Sequence, residues 1–331
     1  MMDAVKKNIL LIAPFFYEYH ISIKRQLEKM GYNVILVNDN ITSESKIRYL
    51  HSKLASYNHK YEALQYYRKI LGSIKVKIDF LFVVKGDSLT EEVMNYITYK
   101  HPNIKTVIYF WDSVNKYPKQ KQTAKLFKKV YTYDLKNSQT LGWTYRPLFF
   151  DCNENAQKIS KTIDVSFIGS LHSKRGELVK KLDDFVRKND LKSFIYLFCR
   201  PTSFINQKYI KKNPDFNIKR KLVNFKTISK EQTEEIYKKS SCVVDYQSED
   251  QSGLTIRTIE CLAHKCKIIT NNTSIMQADF YNPNNIYIYC DISHFSVPVD
   301  FIKSAYFETP KSIVNKYSIE GFVKDILGGL S

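Results

Sequence analysis

A chain of 331 residues with 44% hydrophobic and 25% charged residues is too apolar to stay disordered and long enough for two domains of about 150 residues each. Its net charge of +18 points to an anionic partner (nucleic acid, a membrane surface or a phosphorylated substrate), with compositional drift toward Lys, Ile, Asn and Tyr as the competing source. Six cysteines, all beyond residue 150 and none in a C-x-x-C pair, argue against a zinc site and for a reducing compartment.

The charge is uneven. Residues 1–150 hold 24 Lys and Arg against 12 Asp and Glu, and residues 151–331 hold 27 against 21. No signal peptide is expected ahead of the apolar run that starts near Asn8, and no run approaches the roughly 20 residues of a membrane helix.

In chain order, Asn8–Phe16 reads as a buried strand, Glu18–Met30 as a helix closed by Gly31, and Tyr32–Val37 as a strand. That is one βαβ unit, which implies a parallel sheet. Residues Ile47, Leu50, Leu54, Tyr57, Tyr61, Leu64, Tyr67 and Leu71 repeat at helical spacing, with Lys and Arg around them. This stripe suits either the domain core or an anionic lipid interface. Strands follow at Asp79–Val84, Thr106–Trp111 and Val130–Tyr133, with helices near Glu91–Tyr99 and Thr123–Lys129. Trp143–Asp151 reads as an irregular crossing between domains.

The pattern then restarts. Asp164–Ile168 is a strand, Glu177–Lys188 a helix and Phe194–Cys199 a strand. Pro201–Phe225 reads as polar and irregular. Ser229-Lys230-Glu231-Gln232 is a capping box opening a helix to Lys239. Cys242–Tyr246 is a strand, Ser252–Ala263 a helix entered through Gly253, Lys267–Thr270 a strand, and Ser318–Leu327 the last helix. Two such halves make an α/β protein with two Rossmann-like domains.

Several absences narrow the chemistry. There is no G-x-x-x-x-G-K-[ST], no G-x-G-x-x-G, no G-x-S-x-G and no Asp-x-Asp in the sequence. P-loop NTPases, dehydrogenases with the usual fingerprint, elbow-type hydrolases and metal-holding Asp-x-Asp transferases are therefore disfavoured.

Two loops carry the positive signals. In the first, the strand ending at Asp245-Tyr246 leads through Ser252-Gly253-Leu254 into a helix. Free N–H groups and the positive end of that helix dipole suit a diphosphate. Gly253 permits close approach, Thr255 and Thr258 add hydroxyls, Arg257 adds a guanidinium fork, and Glu260 is placed to accept from ribose hydroxyls. The alternative is a plain helix start with Arg257 and Glu260 on a solvated face. In the second, Gly169 ends a strand and Leu171-His172-Ser173-Lys174-Arg175 follows. Arg175 is the expected phosphate contact, and His172 a contact to phosphate or sugar; as alternatives both are surface residues.

Together FIGSLHSKR at 167–175, the strand ending at Arg200, SKEQTEEIYKKSSCVVDY at 229–246 and SGLTIRTIECLAHKCKIITNN at 252–272 resemble the donor half of GT-B glycosyltransferases. The likeness is to the CgeB-like and group-1-like enzymes of bacterial surface polysaccharide synthesis. YFWDS at 109–113 and YRPLFFD at 145–151 look like the same family's inner strand and crossover.

The resemblance implies a GT-B architecture, two Rossmann-like domains facing across a cleft. Residues 1–150 would bind the acceptor and 151–315 the nucleotide sugar, with 316–331 a closing helix open to crossing back to the first domain. It implies transfer of a sugar from a nucleotide diphosphate donor to a glycan acceptor, lipid-linked in capsule, O-antigen or exopolysaccharide synthesis, in the cytoplasm or peripherally on the inner membrane face. No metal or other cofactor and no nucleic acid is expected. Gly169, His172, Arg175, Arg200, Ser252, Gly253, Thr255, Arg257, Thr258 and Glu260 would bind the donor. An inverting reaction needs a general base, for which Asp112 and His20 are the candidates.

One departure stands out. The retaining enzymes carry two glutamates eight positions apart, whereas Ser252 lies eight before Glu260 and Asp250 ten before; neither stereochemistry follows. Competing readings are a GT-B-like nucleotide-sugar epimerase, a polyol-phosphate polymerase, an inactive scaffold and, on charge alone, a nucleic-acid-binding protein.

Overall fold

The computed structural model describes residues 6–15, 18–41, 54–152 and 159–329. It divides into unit one, Met1–Pro147 with Ser318–Ser331, and unit two, Leu148–Tyr317.

Among the described residues, the sheet of unit one has six parallel strands: β1 (Asn8–Ala13), β2 (Asn33–Asn38), β3 (Phe80–Val84), β4 (Lys105–Phe110), β5 (Lys129–Thr132) and β6 (Thr144–Tyr145), in the order β2-β1-β3-β4-β5-β6. The wholly apolar β3 takes a central place, where both faces are covered and all five residues are buried. Helices α1 (Tyr19–Lys29), α2 (Leu54–Ser73), α3 (Glu91–Lys100), α4 (Gln120–Ala124) and α5 (Leu135–Leu141) connect the strands.

Helix α2 settles the use of the aromatic stripe where it is described. Ala63, Tyr67 and Leu71 are fully buried in the core of unit one, and Tyr61 faces solvent. Ile47 and Leu50 lie outside the described residues. The helix expected at Thr123–Lys129 is instead α4, ending at Ala124; Lys129 already belongs to β5, whose pairing with β4 overrides local helical preference.

Unit two repeats the scheme with β7 (Ile163–Ser170), β8 (Ser193–Phe198), β9 (Val223–Asn224), β10 (Ser240–Val244), β11 (Lys267–Thr270) and β12 (Ile286–Ile288). Its order, β12-β11-β10-β7-β8-β9, reads from the other edge as third, second, first, fourth, fifth, sixth, the doubly wound Rossmann order. The chain runs one way from β7 and the other way from β10, so the topological switch lies between their carboxyl ends. Its helices are α6 (Arg175–Lys188), α7 (Pro201–Ile205), α8 (Lys230–Lys239), α9 (Ile256–Ala263), α10 (Val299–Lys303) and α11 (Lys311–Lys316). The capping box holds: the Ser229 hydroxyl accepts from Gln232 N, and the Gln232 side chain accepts from Ser229 N.

Two sequence expectations need correction here. Pro201–Phe225 is not irregular throughout: α7 runs into a π-helical turn, Asn206–Ile210, and two short 3-10 turns follow. The helix expected from Ser252 begins only at Ile256, because the Thr255 hydroxyl caps it by accepting from Thr258 N at 3.2 Å.

The closing helix α12 (Ile319–Gly328) packs within unit one. Ile319, Phe322, Val323 and Ile326 are buried, the Phe322 ring meets Tyr109 edge-on at 4.9 Å, and Asp325 pairs with Arg146 at 2.8 Å.

Packing in unit two makes Gly176 indispensable. A Cβ there would lie 2.1 Å from the backbone oxygen of Asp215. Gly176→Ala is expected to destabilise by about 1–3 kcal/mol despite a helix-propensity gain of about 1 kcal/mol. Thermal unfolding checks it, and an unchanged or raised melting temperature refutes the contact.

Candidate functional site

The carboxyl ends of β7 and β10 carry a buried polar cluster of unit two. Strand β10 leads directly into Asp245, whose side chain is entirely buried. Buried carboxylates persist when paired and hydrogen-bonded, and Asp245 is both. Arg257, on the first turn of α9, forms a close ion pair with it, Thr255 Oγ1 donates to Oδ2 at 3.0 Å, and Thr270 Oγ1 lies at 3.5 Å. The backbone oxygen of Asp245 accepts from the Tyr289 hydroxyl at 3.0 Å.

Arg257 is itself buried. Its second nitrogen donates to the Ile168 carbonyl on β7, and the guanidinium lies 5.5 Å from the Phe167 ring centroid. Burial works most strongly against its charge, but the Asp245 carboxylate, by charge and hydrogen bond, together with Tyr237 and Cys261 holds the pKa above the ordinary arginine value. Gly169 gives this fork its room, since a Cβ there would sit 3.3 Å from Arg257 Nη2. Arg257 thus ties β7 to β10 beneath the two loops.

Arg175 is different. It opens α6, and its guanidinium donates to the carbonyls of Ser170 at 3.4 Å and Tyr246 at 3.5 Å and to His172 Nε2 at 2.8 Å. Its Nε is buried without a partner. Among the described residues no carboxylate pairs with it. Burial, reinforced by repulsion from Arg257, pushes its pKa down to about 10. It is a cation held at the switch point, and the carboxylate that attracts it, Asp245, is already paired with Arg257.

The other expected donor residues take distinct places. Ser252 and Gly253 are buried, and the Gly253 carbonyl accepts from Asn272 Nδ2 at 3.1 Å. Thr255 and Thr258 are engaged with each other, at 3.2 Å between hydroxyls, and with the helix cap. His172 is exposed beside Arg175. Arg200 is exposed at the start of α7, beyond β8. Glu260 is half-buried, facing Arg257 and the side chains of Lys230 and Glu234 on α8.

Burial pushes Glu260 up to about 7, against the attraction of Arg257 and Lys230. A carboxyl whose folded pKa is raised holds its proton more tightly in the folded chain. The resulting penalty is absent below pH 4.5, its ordinary value, and complete above about 7. Glu260→Gln should therefore raise stability by about 1–2 kcal/mol near pH 8 and leave it unchanged near pH 4, once screening is allowed for. Denaturant midpoints at the two pH values check this; an equal shift at both would contradict it.

Sequence reading missed Asp245 and the asparagines that shape the loop. Asn271 Oδ1 accepts from Gln247 N at 2.7 Å, and Asn271 Nδ2 donates to Gln247 O at 2.9 Å. With Asn272 on Gly253, the residues just after β11 hold both ends of the loop after β10. The available signal was a carboxylate closing an apolar strand with an arginine twelve residues on.

In unit one, His20 and Asp112 both lie at the carboxyl edge of the sheet, the first in the opening turn of α1 and the second two residues past β4. Their neighbours Tyr19 and Trp111 meet edge-on at 6.0 Å. Burial raises the Asp112 pKa, while Lys85 and Lys116 pull it down; burial lowers that of His20, which stacks on Phe15 at 4.3 Å with Nδ1 unpartnered. The adjoining loop after β3 carries strain at Lys85, which takes left-handed backbone at φ 73°, followed by Gly86 at the same φ, which glycine adopts freely. The buried Asp39 carboxylate accepts from the backbone N–H of Asp87 at 2.8 Å and of Ser88 at 3.0 Å and anchors that loop.

Among the described residues, no helix is long and apolar enough to cross a membrane.

Two parallel six-stranded sheets with alternating helices, each a Rossmann-like unit, define the GT-B fold. Solved structures agree. The chain is similar to sucrose-phosphate synthase from Thermosynechococcus elongatus (TM-score 0.58, 10% identity, 98% of this chain and 95% of that one). It is similar to the catalytic domain of starch synthase IV from Arabidopsis thaliana bound to ADP and acarbose (0.56, 8%, 97% and 97%). It is also similar to UDP-GlcNAc 2-epimerase from Methanocaldococcus jannaschii (0.55, 13%, 97% and 99%). No family model matches the chain, and no curated protein matches it.

Proposed function

We propose that the chain is a glycosyltransferase that binds a nucleotide diphosphate sugar in unit two and transfers the sugar to a glycan acceptor. The observation that carries this reading is Arg175, a desolvated guanidinium at the switch point with no carboxylate partner and a buried unpaired N–H. Such a group is completed by an anion, and ligands of doubly wound sheets sit at the switch.

Arg257 backs the site electrostatically: its pair with Asp245 fixes both loops, and its proximity makes Arg175 more demanding of negative charge. The amino end of α6, which begins at Arg175, adds dipole and N–H groups. When the sugar leaves, charge develops on the diphosphate, and these fixed groups are already oriented to stabilise it. Glu260 is the ribose contact. In unit one, Asp112 acts as general base on the acceptor hydroxyl, its basicity raised by burial, and His20 lines the same edge. The ADP bound to starch synthase IV is the kind of ligand this site suits. Membership of the CgeB-like group, a lipid-linked acceptor and a role in surface polysaccharide synthesis belong to the same proposal.

Thermal shift with UDP, GDP, dTDP, CMP and their sugars tests it. A bound nucleotide raises the melting temperature by mass action, and the reading fails if none does. Incubating the chain with the recognised nucleotide sugar and no acceptor separates transfer from epimerisation, since an epimerase turns over alone.

A further inference from the structure

The segment that leaves the carboxyl end of β8 concentrates the charge of unit two. Residues 200–226 contain eight Lys and Arg and one acid, Asp215, a net of +7, whereas the whole of residues 151–331 nets +6. The rest of that half is therefore close to neutral.

The segment is anchored from below. Phe204 and Phe216 are buried, Phe204 packs against Phe225 at 5.6 Å, and Lys208 Nζ donates to the Ile218 carbonyl at 3.0 Å. Above this anchor, Ile205, Tyr209 and Ile210 are 55%, 64% and 73% exposed. Ile205 and Tyr209 stand one helical turn apart, and Ile210 follows directly. Single exposed apolar side chains are ordinary, but three large ones grouped within six residues, from the end of α7 through the π-helical turn, are not. Lys211, Lys212, Lys219 and Lys221 are exposed in the same segment.

We propose that residues 201–221 are a docking surface for the anionic leaflet of a lipid bilayer. Ile205, Tyr209 and Ile210 enter the headgroup boundary, and the lysines pair with acidic lipid phosphates. Exposed apolar side chains followed directly by Lys211 and Lys212, with a tyrosine between, match such an interface, and each basic residue near an anionic surface adds about 1 kcal/mol. A nucleic acid would use the lysines and leave the isoleucines idle. Because β8 neighbours β7, the surface and the Arg175 site leave the same edge of one sheet. The inference does not depend on the proposed reaction.

Co-sedimentation of the full chain with phosphatidylcholine vesicles, with and without phosphatidylglycerol, tests it. Binding is expected only when phosphatidylglycerol is present and should fade as salt is raised. Lys211→Glu with Lys212→Glu should weaken it by about tenfold or more. Ile205→Ser with Ile210→Ser should weaken it severalfold without moving the melting temperature. The proposal is overturned by absence of binding to the anionic vesicles or by binding that survives both pairs. It is equally overturned by loss of binding on Arg68→Glu with Lys69→Glu in α2 instead, or by a preference for random oligonucleotides over vesicles.

Discussion

Asp245→Asn is expected to cost the fold about 3–5 kcal/mol, because it leaves the Arg257 guanidinium buried without its counter-charge. The substitution preserves shape and much of the hydrogen bonding to Thr255, so the loss reports charge rather than volume. Urea unfolding should show a lower midpoint at unchanged slope. A loss under about 1 kcal/mol would mean that the pair behaves as a solvated surface bridge. The double change Asp245→Leu with Arg257→Met should recover much of the stability, since replacing both partners removes the orphaned charge. It should not recover nucleotide binding, because the loops after β7 and β10 lose the tie that sets their spacing.

Arg175→Ala is expected to do the opposite. Stability should hold or rise slightly, because the side chain removed is desolvated, carries an unpaired buried N–H and is repelled by Arg257. Affinity for the nucleotide diphosphate should fall roughly ten- to hundredfold, the size of a lost hydrogen bond to a charged group, about 1.5–3 kcal/mol. Arg175→Lys should recover only part of it, since lysine supplies charge without the planar fork. Titration calorimetry of wild type and both variants reads this directly. Equal affinity across the three would place the diphosphate elsewhere.

Much of this architecture was legible in the residues, for identifiable reasons. Strands such as β3 and β4 are short apolar runs bounded by turn residues, and the capping box at Ser229 marks α8 unaided. Strand β9 and strand β12 were missed because two or three residues on a sheet flank carry no periodicity. The start of α9 was misjudged because Gly253 is conspicuous whereas Thr255 caps the helix quietly. At the site, Arg175, Arg257 and the loops around Gly169 and Gly253 were visible as basic residues after strands. Their division of labour was not. Whether an arginine meets a ligand or a carboxylate depends on what the fold puts beside it, and Asp245 lies twelve positions away in sequence. The exposed turn at Ile205–Ile210 was hidden likewise, since Pro201–Phe225 reads only as polar and irregular and the exposure of its apolar residues depends on their neighbours in the fold.

The placement of α12 in unit one has a consequence for biogenesis. Residues 148–317 leave the ribosome complete and can close their sheet at once, whereas unit one must wait for residues 319–328 to emerge before Phe322 covers Tyr109. The half that is translated first is therefore the half that is finished last, and a premature stop near residue 318 would cripple the nascent amino-terminal lobe while sparing the later one.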